Sequence, residues 1–421
     1  MATHSHRNVR ASSLIALPLG LLCILAAGCQ SGHGQHTAEF KEQATQRMNG
    51  VKAATSFDMA QQQFLSGDLE KSLASIEQSI ALNDKVARSH VLRGRVLIEM
   101  GRLEAALTSF NNAIALDEKN ADAHYYSGIV YERFSNFDDA MQAYQRAAAC
   151  DPTNPQFPIA AAEMLIDQER FDEAEAALTP AHSTFQHNAG IRQTLGHIAS
   201  LRGNHERAAQ YFGEAALLAP SDPSILEDQA RSFMTLGRFG EAESTLRRLL
   251  AKQGGAARND LQHLRARALM ALDQPVEARE VLVKITSDAT SSADAAVWID
   301  LGNVALMLKD GYRLREAGQR LMAMTPRSAE GYLFMALWQR DSGKLDAAAK
   351  TLERAVALAP NDPMPALLRG MILADMGQST AARQAFAEAL RRDPTNQEAQ
   401  RLMMGLNQTP ATGLVGASVE P

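Results

Sequence analysis

Cysteine and aromatic residues are scarce in this 421-residue chain, and each scarcity removes a class of protein. Of the three cysteines, Cys23 and Cys29 lie in the first thirty residues and Cys150 stands alone in the remainder. A lone cysteine forms no internal disulfide, so a fold held together by disulfides is excluded. Aromatic residues make up 5% of the chain, which favours close packing of small side chains over a core built on large rings.

Catalytic motifs are missing as well. A zinc-protease helix needs two histidines four residues apart with a glutamate between them, and after His205-Glu206 the second histidine's place is taken by Ala209. No phosphate-binding loop and no Gly-x-Ser-x-Gly nucleophile turn occurs. We therefore expect no enzyme activity, no cofactor, no metal site and no small-molecule substrate.

Acidic residues outnumber basic ones, with 48 Asp and Glu against 42 Lys and Arg. The net charge is −6 and the isoelectric point is near 6.0, and no basic stripe interleaved with aromatic residues appears, so we expect no nucleic-acid partner. No stretch alternates apolar and polar residues over a useful length, so β-strands are not expected.

What the chain has is repetition. One loop position recurs at steps of 34 residues, apart from two steps of 36. Its residues are Gly67, Gly101, Ser135, Glu169, Gly203, Gly237, Asp273, Lys309, Gly343 and Gly377. Seven residues before each of them stands Ala60, Gly94, Gly128, Ala162, Gly196, Ala230, Ala266, Gly302, Ala336 or Gly370. A fixed period near 34 means that each unit is one supersecondary element that cannot bury its apolar face alone.

Each repeat contains two stretches of about 12–14 residues with apolar positions three and four apart, which predicts two amphipathic helices. The Gly or Ala at the crossing lets the helices approach closely, and we expect no room for a side chain at Gly196. Larger residues fill the gap beside the crossing, namely Phe110, Tyr144, Phe212 and Phe386. Prolines predict the end of the second helix in several repeats, at Pro152, Pro220, Pro326, Pro360 and Pro394. The eighth repeat departs from the pattern at Leu314 and Gly318, which predicts a bend or a weak joint.

The pattern resembles that of the tetratricopeptide repeat family across most of the chain. The matching residues are Trp298, Leu301 and Gly302 at a repeat opening, and Ala208, Phe212, Ala215 and Pro220 in a second helix. The resemblance implies an all-α, right-handed solenoid of about ten helix-turn-helix repeats over residues 51–396. It is followed by a predicted capping helix over 397–407 and a disordered tail over 408–421.

The N-terminus predicts a bacterial lipoprotein. Arg7 and Arg10 precede an apolar stretch, Ser13–Ala27, which is too short for a spanning helix. Small residues then lead to Cys29, which resembles the lipobox. The resemblance implies a signal peptide over 1–28 and acylation (palmitate) of Cys29. The Gly/Ser/His/Gln-rich stretch Ser31–Thr37 predicts a flexible tether over 29–50, in which Glu39–Met48 is a candidate lead-in helix. With Gln30 after the cysteine, the resemblance also implies an outer-membrane lipoprotein facing the periplasm. An ordinary secretory signal, giving a secreted or periplasmic protein, and an uncleaved anchor are the alternatives.

The resemblance also implies a binding groove lined by the first helix of each repeat. Its candidate residues are Arg88, Arg95, Tyr125, Ile129, Gln193, His197, Arg231, Arg267, Ile299, Asn303, Leu333, Leu367 and Met371. Relatives that clamp a C-terminal carboxylate use Lys/Asn, Asn and Lys/Arg over three repeats. The matching positions here hold Phe57, Gln61, Leu92, Asp122 and Tyr126, so such a clamp is not expected.

The last three repeats place apolar residues on this predicted lining, at Ile299, Leu333, Leu367 and Met371. A monomeric solenoid would not normally leave such a lining in water. Either a partner's amphipathic helix or extended segment covers it, or the capping helix does so through Leu402 and Met403, or a second copy of the chain does.

These observations favour a non-catalytic, lipid-anchored scaffold that binds other cell-envelope proteins through the concave groove. By resemblance, an assembly factor for a type IV or tight-adherence pilus, or for a secretin, is the leading specific hypothesis. The alternatives are a scaffold for cell-wall or envelope-biogenesis enzymes and a noncatalytic subunit of a glycosyltransferase or protease. A misread N-terminus would instead leave a cytoplasmic adaptor.

Overall fold

A computed structural model describes residues 35–252, 258–287 and 294–408. Within these residues the chain is helical, with 21 helices and no strand. Twenty of the helices pair into ten hairpins and one helix follows, so the all-α repeat fold predicted from the sequence is confirmed. The chain divides into two compact units, residues 1–152 (unit 1) and 153–421 (unit 2).

Unit 1 contains three hairpins, and in each the first and second helices pack against each other. Successive hairpins also pack, with α2 against α3 and α4 against α5. Their helices are α1 (Gln35–Leu65), α2 (Leu69–Leu82), α3 (Ala87–Glu99), α4 (Leu103–Leu116), α5 (Ala121–Arg133) and α6 (Phe137–Cys150).

Unit 2 contains seven hairpins and a terminal helix that packs on α20. Its helices are α7 (Gln156–Asp167), α8 (Phe171–Thr184), α9 (Ala189–Leu201), α10 (His205–Leu218), α11 (Pro223–Thr235), α12 (Phe239–Lys252), α13 (Asn259–Ala271), α14 (Pro275–Ser287), α15 (Ala295–Met307), α16 (Gly311–Met324), α17 (Glu330–Asp341), α18 (Leu345–Leu358), α19 (Met364–Asp375), α20 (Ser379–Arg392) and α21 (Gln397–Gln408). Each of the five prolines expected to end a second helix lies two residues beyond one.

The turn between paired helices is set by one residue with positive φ. All ten loop positions found from the repeat period adopt it, with φ between 52° and 80°. Six are glycine, which enters this region without steric cost. The other four are Ser135, Glu169, Asp273 and Lys309, and each carries a cost of about 1–2 kcal/mol for the left-handed conformation. The turn geometry is therefore kept even where the favourable residue is absent.

In four hairpins the two helices cross where a glycine of the first helix contacts an aromatic ring of the second. A Cβ placed on Gly196 would lie 2.6 Å from Phe212 Cε1, and one on Gly128 would lie 2.5 Å from Tyr144 Cε1. The same pairing joins Gly370 to Phe386. Where the crossing residue is Ala60, the facing Ser72 donates its hydroxyl to the Ala60 carbonyl at 2.8 Å. The expectation of no room at Gly196 is confirmed, because a Cβ there would overlap the ring.

The helices of the eighth hairpin cross with different contacts from those of the other hairpins. Its second helix has Gly318 at the position where every other repeat has a large apolar side chain or a ring. The ring facing Gly302 is Phe334 from α17 of the next hairpin. A Cβ on Gly331 would lie 2.7 Å from Met322 N, so α16 and α17 meet backbone to backbone. The expected weak joint is instead a tight crossing, because removing two side chains lets the helices approach.

Two expectations differ from the structure. The tether predicted over 29–50 is helical from Gln35, because residues 38–48 are mainly helix-favouring Ala, Glu, Lys, Gln, Arg and Met, which continue α1 without a break. The repeats predicted as one solenoid over 51–396 divide into two compact units after Pro152. Pro152 and Pro155 bracket this boundary and have no N–H to extend a helix across it.

Other domain predictions fall partly outside the described residues. The signal peptide over 1–28, Cys29 and the tail predicted over 408–421 lie there, except for Gln408, which is the last residue of α21. α21 occupies the stretch predicted as a capping helix. Among the described residues, no helix combines the length and apolar composition needed to cross a membrane.

Alanine substitutions at two glycines of adjacent helices should have opposite effects on stability. Gly196→Ala places a Cβ against the Phe212 ring and is expected to lower the free energy of unfolding by about 1–3 kcal/mol. Gly213→Ala, on α10, meets nothing closer than 3.9 Å outside its own helix and should raise it by about 0.5–1 kcal/mol. Urea unfolding followed by circular dichroism measures both. A Gly196→Ala protein as stable as the parent would contradict the crossing described above.

Candidate functional site

We call the surface presented by the first helices of the hairpins in each unit the first-helix face of that unit. Neighbouring first helices contact each other directly, α3 with α5 in unit 1 and α7 with α9 in unit 2. The predicted groove residues all lie on these helices: Arg88 and Arg95 on α3, Tyr125 and Ile129 on α5, Gln193 and His197 on α9, Arg231 on α11, Arg267 on α13, Ile299 and Asn303 on α15, Leu333 on α17, and Leu367 and Met371 on α19.

In unit 2, Asp228 joins α9 to α11. His197 Nε2 donates to Asp228 Oδ2 at 2.8 Å, and Gln193 Nε2 donates to the same oxygen at 2.7 Å. Gln193 also reaches the hydroxyl of Ser224 at 3.2 Å. One carboxylate therefore fixes two of the predicted site residues from the next repeat.

A group of charged residues continues the face from α11 to the start of α13. Glu227 accepts from Arg231 at 2.7 Å and from Arg258 at 2.8 Å. Arg258 also pairs with Asp260 at 2.8 Å. The two carboxylates and two guanidinium groups form one network across neighbouring repeats, so the charge at Arg231 is held in place rather than free to swing.

The network shifts the ionisation of its members. Hydrogen bonds from Arg258 hold the pKa of the Asp260 carboxyl below its ordinary value of 3.8. The same contacts, with those to Glu227, raise the pKa of the Arg258 guanidinium. Since the folded-state pKa of Asp260 is lowered, its stabilising contribution is present above pH 3.8 and is lost as the pH falls below that value. The Asp260 side chain is 52% exposed, which limits the pair to about 0.2–1 kcal/mol.

A second imidazole–carboxylate pair links α13 to α15. His263 Nε2 donates to Asp300 Oδ2 at 2.7 Å, and both side chains are mostly buried. Arg267 and Asn303, the predicted site residues on these helices, are exposed. Polar bridges therefore run from α9 through α11 and α13 to α15 on one face.

A cleft of about 370 Å³ opens on this face beside His197. Its polar lining includes Glu163, Asp228 and Arg231, and its apolar lining includes Leu201 and Phe212. Charges of both signs beside apolar surface suit a polypeptide, which presents backbone donors and acceptors together with apolar side chains.

The apolar lining expected in the last three repeats is mostly withdrawn from water. Leu367 is 5% exposed and lies in a core cluster, while Leu333 and Met371 are partly buried against the same cluster. Leu402 and Met403 of α21 pack on that cluster too. These contacts favour the alternative in which the capping helix, through Leu402 and Met403, covers the apolar lining. Ile299 is likewise partly buried against the core of its own repeats.

Unit 1 has a different first-helix face. The guanidinium of Arg88 lies 4.7 Å from the Phe57 ring centroid, and that of Arg95 lies 5.0 Å from both the Phe64 and Tyr126 centroids. Burial raises the pKa of the Tyr126 phenol, partly offset by the positive charge of Arg95. Tyr125 packs edge-on against Tyr126, and Ile129 is partly buried.

The sequence did not identify the residues that organise these faces. Asp228, Asp300 and Arg258 fall off the family's ligand-facing positions, although each stands one repeat after its partner, 31 or 37 residues along. The family pattern marks Phe57 and Tyr126 only as departures from a carboxylate clamp. Phe57 and Phe64 are seven residues apart, as are Arg88 and Arg95. This shared spacing is the sequence signal that could have indicated the stacked pairs.

The paired side chains on the unit 2 face offer hydrogen-bonding and charged groups that can contact a ligand. Each imidazole of the unit 2 face donates to a carboxylate, which fixes the ring and leaves its second nitrogen for another contact. Within the part of the chain that the structure describes, no three His, Cys, Asp or Glu side chains are grouped to hold a metal ion. The fold and this face define a helical-repeat protein of the interaction-scaffold class.

Comparison with known proteins identifies the family. Tetratricopeptide repeat models match residues 91–155, 194–257, 227–289 and 335–397, and a second such model matches 131–198. The chain belongs to the tetratricopeptide repeat family, whose members generally bind peptides or proteins and act as non-catalytic scaffolds. A search of the curated proteins finds no match.

Several solved structures show a distant likeness. PilF of Pseudomonas aeruginosa is 21% identical over 48% of this chain and 92% of its own, with a TM-score of 0.42. A tetratricopeptide repeat protein of Parabacteroides merdae is 16% identical over 57% and 94%, with a TM-score of 0.43. The Cut9–Hcn1 hetero-tetramer of the APC/C gives 14% over 88% and 94%, with a TM-score of 0.42.

Proposed function

We propose that this protein is a lipid-anchored, non-catalytic scaffold of the bacterial envelope that holds a segment of another envelope protein on the first-helix face of unit 2. The observation that carries the proposal is the set of polar bridges from α9 to α15 beside the His197 cleft. These groups are fixed before a ligand arrives, so binding loses little side-chain entropy.

The anchor is proposed from the sequence. Arg7, Arg10 and the apolar stretch Ser13–Ala27 precede Cys29 in the order of a lipoprotein signal. Acylation contributes about 0.8 kcal/mol per buried CH₂, so two or three chains would hold the protein at a membrane. Gln30 supports the outer membrane, by the sorting rule of the lipoproteins that this segment resembles.

The partner proposed first is a component of a type IV or tight-adherence pilus, or a secretin. Support comes from the resemblance to tetratricopeptide repeat lipoproteins that assemble such machines. The link between the proposed anchor and the repeats is short, because α1 begins at Gln35, six residues after Cys29.

The anchor has a matched control within the chain. Cys29→Ser should block acylation and move the protein from the detergent phase to the aqueous phase, or leave an unprocessed precursor. Cys150→Ser, which removes the half-buried cysteine of α6, should partition like the parent. Triton X-114 phase separation with radiolabelled palmitate measures both. A Cys29→Ser protein that keeps its label and its phase would overturn the anchor.

Binding can be mapped by placing a photo-crosslinking residue at single positions. Ser200 and Thr235 line the cleft and are exposed, whereas Gln210 and Arg247 are exposed on the second helices α10 and α12. In intact cells we expect adducts to one envelope protein from the first two positions only. Adding Arg231→Glu should weaken those adducts several-fold, since it reverses a charge in the cleft. Adducts of equal yield at all four positions, or at the control positions alone, would contradict the proposed face.

A further inference from the structure

Two arginines on the first-helix face of unit 1, Arg88 and Arg95, stack on rings and make no direct ion pair among the described residues. Among the residues that the structure describes, neither Arg88 nor Arg95 has a hydrogen bond or ion pair with another side chain. Arg93, on the same helix, is engaged with Glu77 at 3.1 Å and with the Ser109 hydroxyl at 2.8 Å. The difference is therefore local to the face and not a property of α3.

The two guanidinium groups are held by rings. Phe57 lies under Arg88, while Phe64 and Tyr126 lie on Arg95 from two neighbouring helices. Stacking fixes the plane of a guanidinium and leaves its N–H edges free to form two parallel hydrogen bonds with a carboxylate. A cleft of about 140 Å³ lies beside them, lined in part by Val91 and Asn120.

The spacing of the arginines sets the spacing of a ligand. Arg88 and Arg95 are seven residues apart on one helix, which is about 10.5 Å along its axis. An extended segment in the polyproline II conformation advances about 3.1 Å per residue with three residues per turn. Residues three apart on such a segment therefore point the same way and lie about 9 Å apart.

We propose that the first-helix face of unit 1 binds an extended acidic segment of a partner protein, with two carboxylates three residues apart received by Arg88 and Arg95. This inference rests on the proposed function, in that the chain is taken to bind other proteins. It concerns a different unit from the His197 cleft and can fail separately.

The charge around the arginines favours a peptide over a polyanionic surface. Residues 35–152 contain 12 Lys and Arg against 16 Asp and Glu, and Asp122 lines the same cleft. A membrane or a nucleic acid carries many negative charges, and the acidic residues around the two arginines would repel them. A segment with only two spaced carboxylates can pair with the two arginines and brings few further negative charges near the surrounding acidic residues.

The test uses the full mature chain and a peptide of defined charge. The probe is an acetylated, amidated Gly/Ser peptide with a single Glu-x-x-Glu pair, so no terminal carboxylate contributes. Its controls are the Gln-x-x-Gln peptide and an isomer with the two glutamates adjacent. Titration is followed by the Nε–Hε resonances of the arginines, with Arg102 and Arg146, exposed on or beside second helices, as internal references.

We expect the Glu-x-x-Glu peptide to shift Arg88 and Arg95 and to leave Arg102 and Arg146 unmoved. The Gln-x-x-Gln peptide should bind at least tenfold more weakly, and the adjacent isomer should shift only one of the two arginines. The double variant Arg88→Gln, Arg95→Gln should lose at least tenfold in affinity, whereas Arg102→Gln, Arg146→Gln should not. Circular dichroism on both variants checks that each is folded.

Two results would overturn the proposal. One is equal binding of the glutamate and glutamine peptides, or equal shifts at all four arginines. The other is Arg88- and Arg95-dependent binding of phosphatidylglycerol vesicles without binding of the peptide, which would make the face a lipid site. Either result leaves crosslinking from Ser200 and Thr235 unaffected, so failure here is distinct from failure of the proposed scaffold function.

Discussion

The close crossing of two helices at a glycine or alanine is the constraint on which the rest of this structure depends. At Gly128, Gly196 and Gly370 the facing ring occupies the volume that a Cβ would need. The close approach also buries the ring, since Tyr144, Phe212 and Phe386 are each no more than 3% exposed. A hairpin packed this tightly has a fixed thickness, and a fixed thickness lets each hairpin stack on the next. Stability then comes from contacts between neighbours and not from one central core.

Stacking of this kind aligns the first helices, and the alignment produces the functional surface. Because α9, α11, α13 and α15 lie in sequence on one face, a carboxylate from one repeat can meet an imidazole or guanidinium of the next. The pairs His197–Asp228 and His263–Asp300 are instances. The same alignment in unit 1 places Arg95 between rings of α1 and α5. Neither surface belongs to a single repeat, so both depend on the crossings that hold the repeats in register.

The sequence predicted what depends on local period, and it missed what depends on neighbours. The ten turns were found from spacing alone, including Glu169 and Lys309, whose residue types do not favour positive φ. The ring facing Gly302 was not found, because it comes from the following hairpin, and a repeat pattern assigns each residue a partner within its own unit. The position of Leu367 in its repeat predicts a place on the groove, yet its side chain is 5% exposed and belongs to the core cluster of the last hairpins. A separate lead-in helix over Glu39–Met48 is what the sequence favours before residue 51, whereas the structure continues it without a break into the first repeat as α1.

A double-mutant cycle at one crossing tests the central claim most directly. Gly370→Ala and Phe386→Leu should each destabilise unit 2, the first by overlap and the second by lost burial. Together they should cost less than their sum by about 0.5–3 kcal/mol, because the smaller side chain makes room for the new Cβ. Urea unfolding of the parent, the two single variants and the double variant gives the coupling energy. A coupling of zero would mean that Gly370 and Phe386 are independent, and would contradict the account of the crossing.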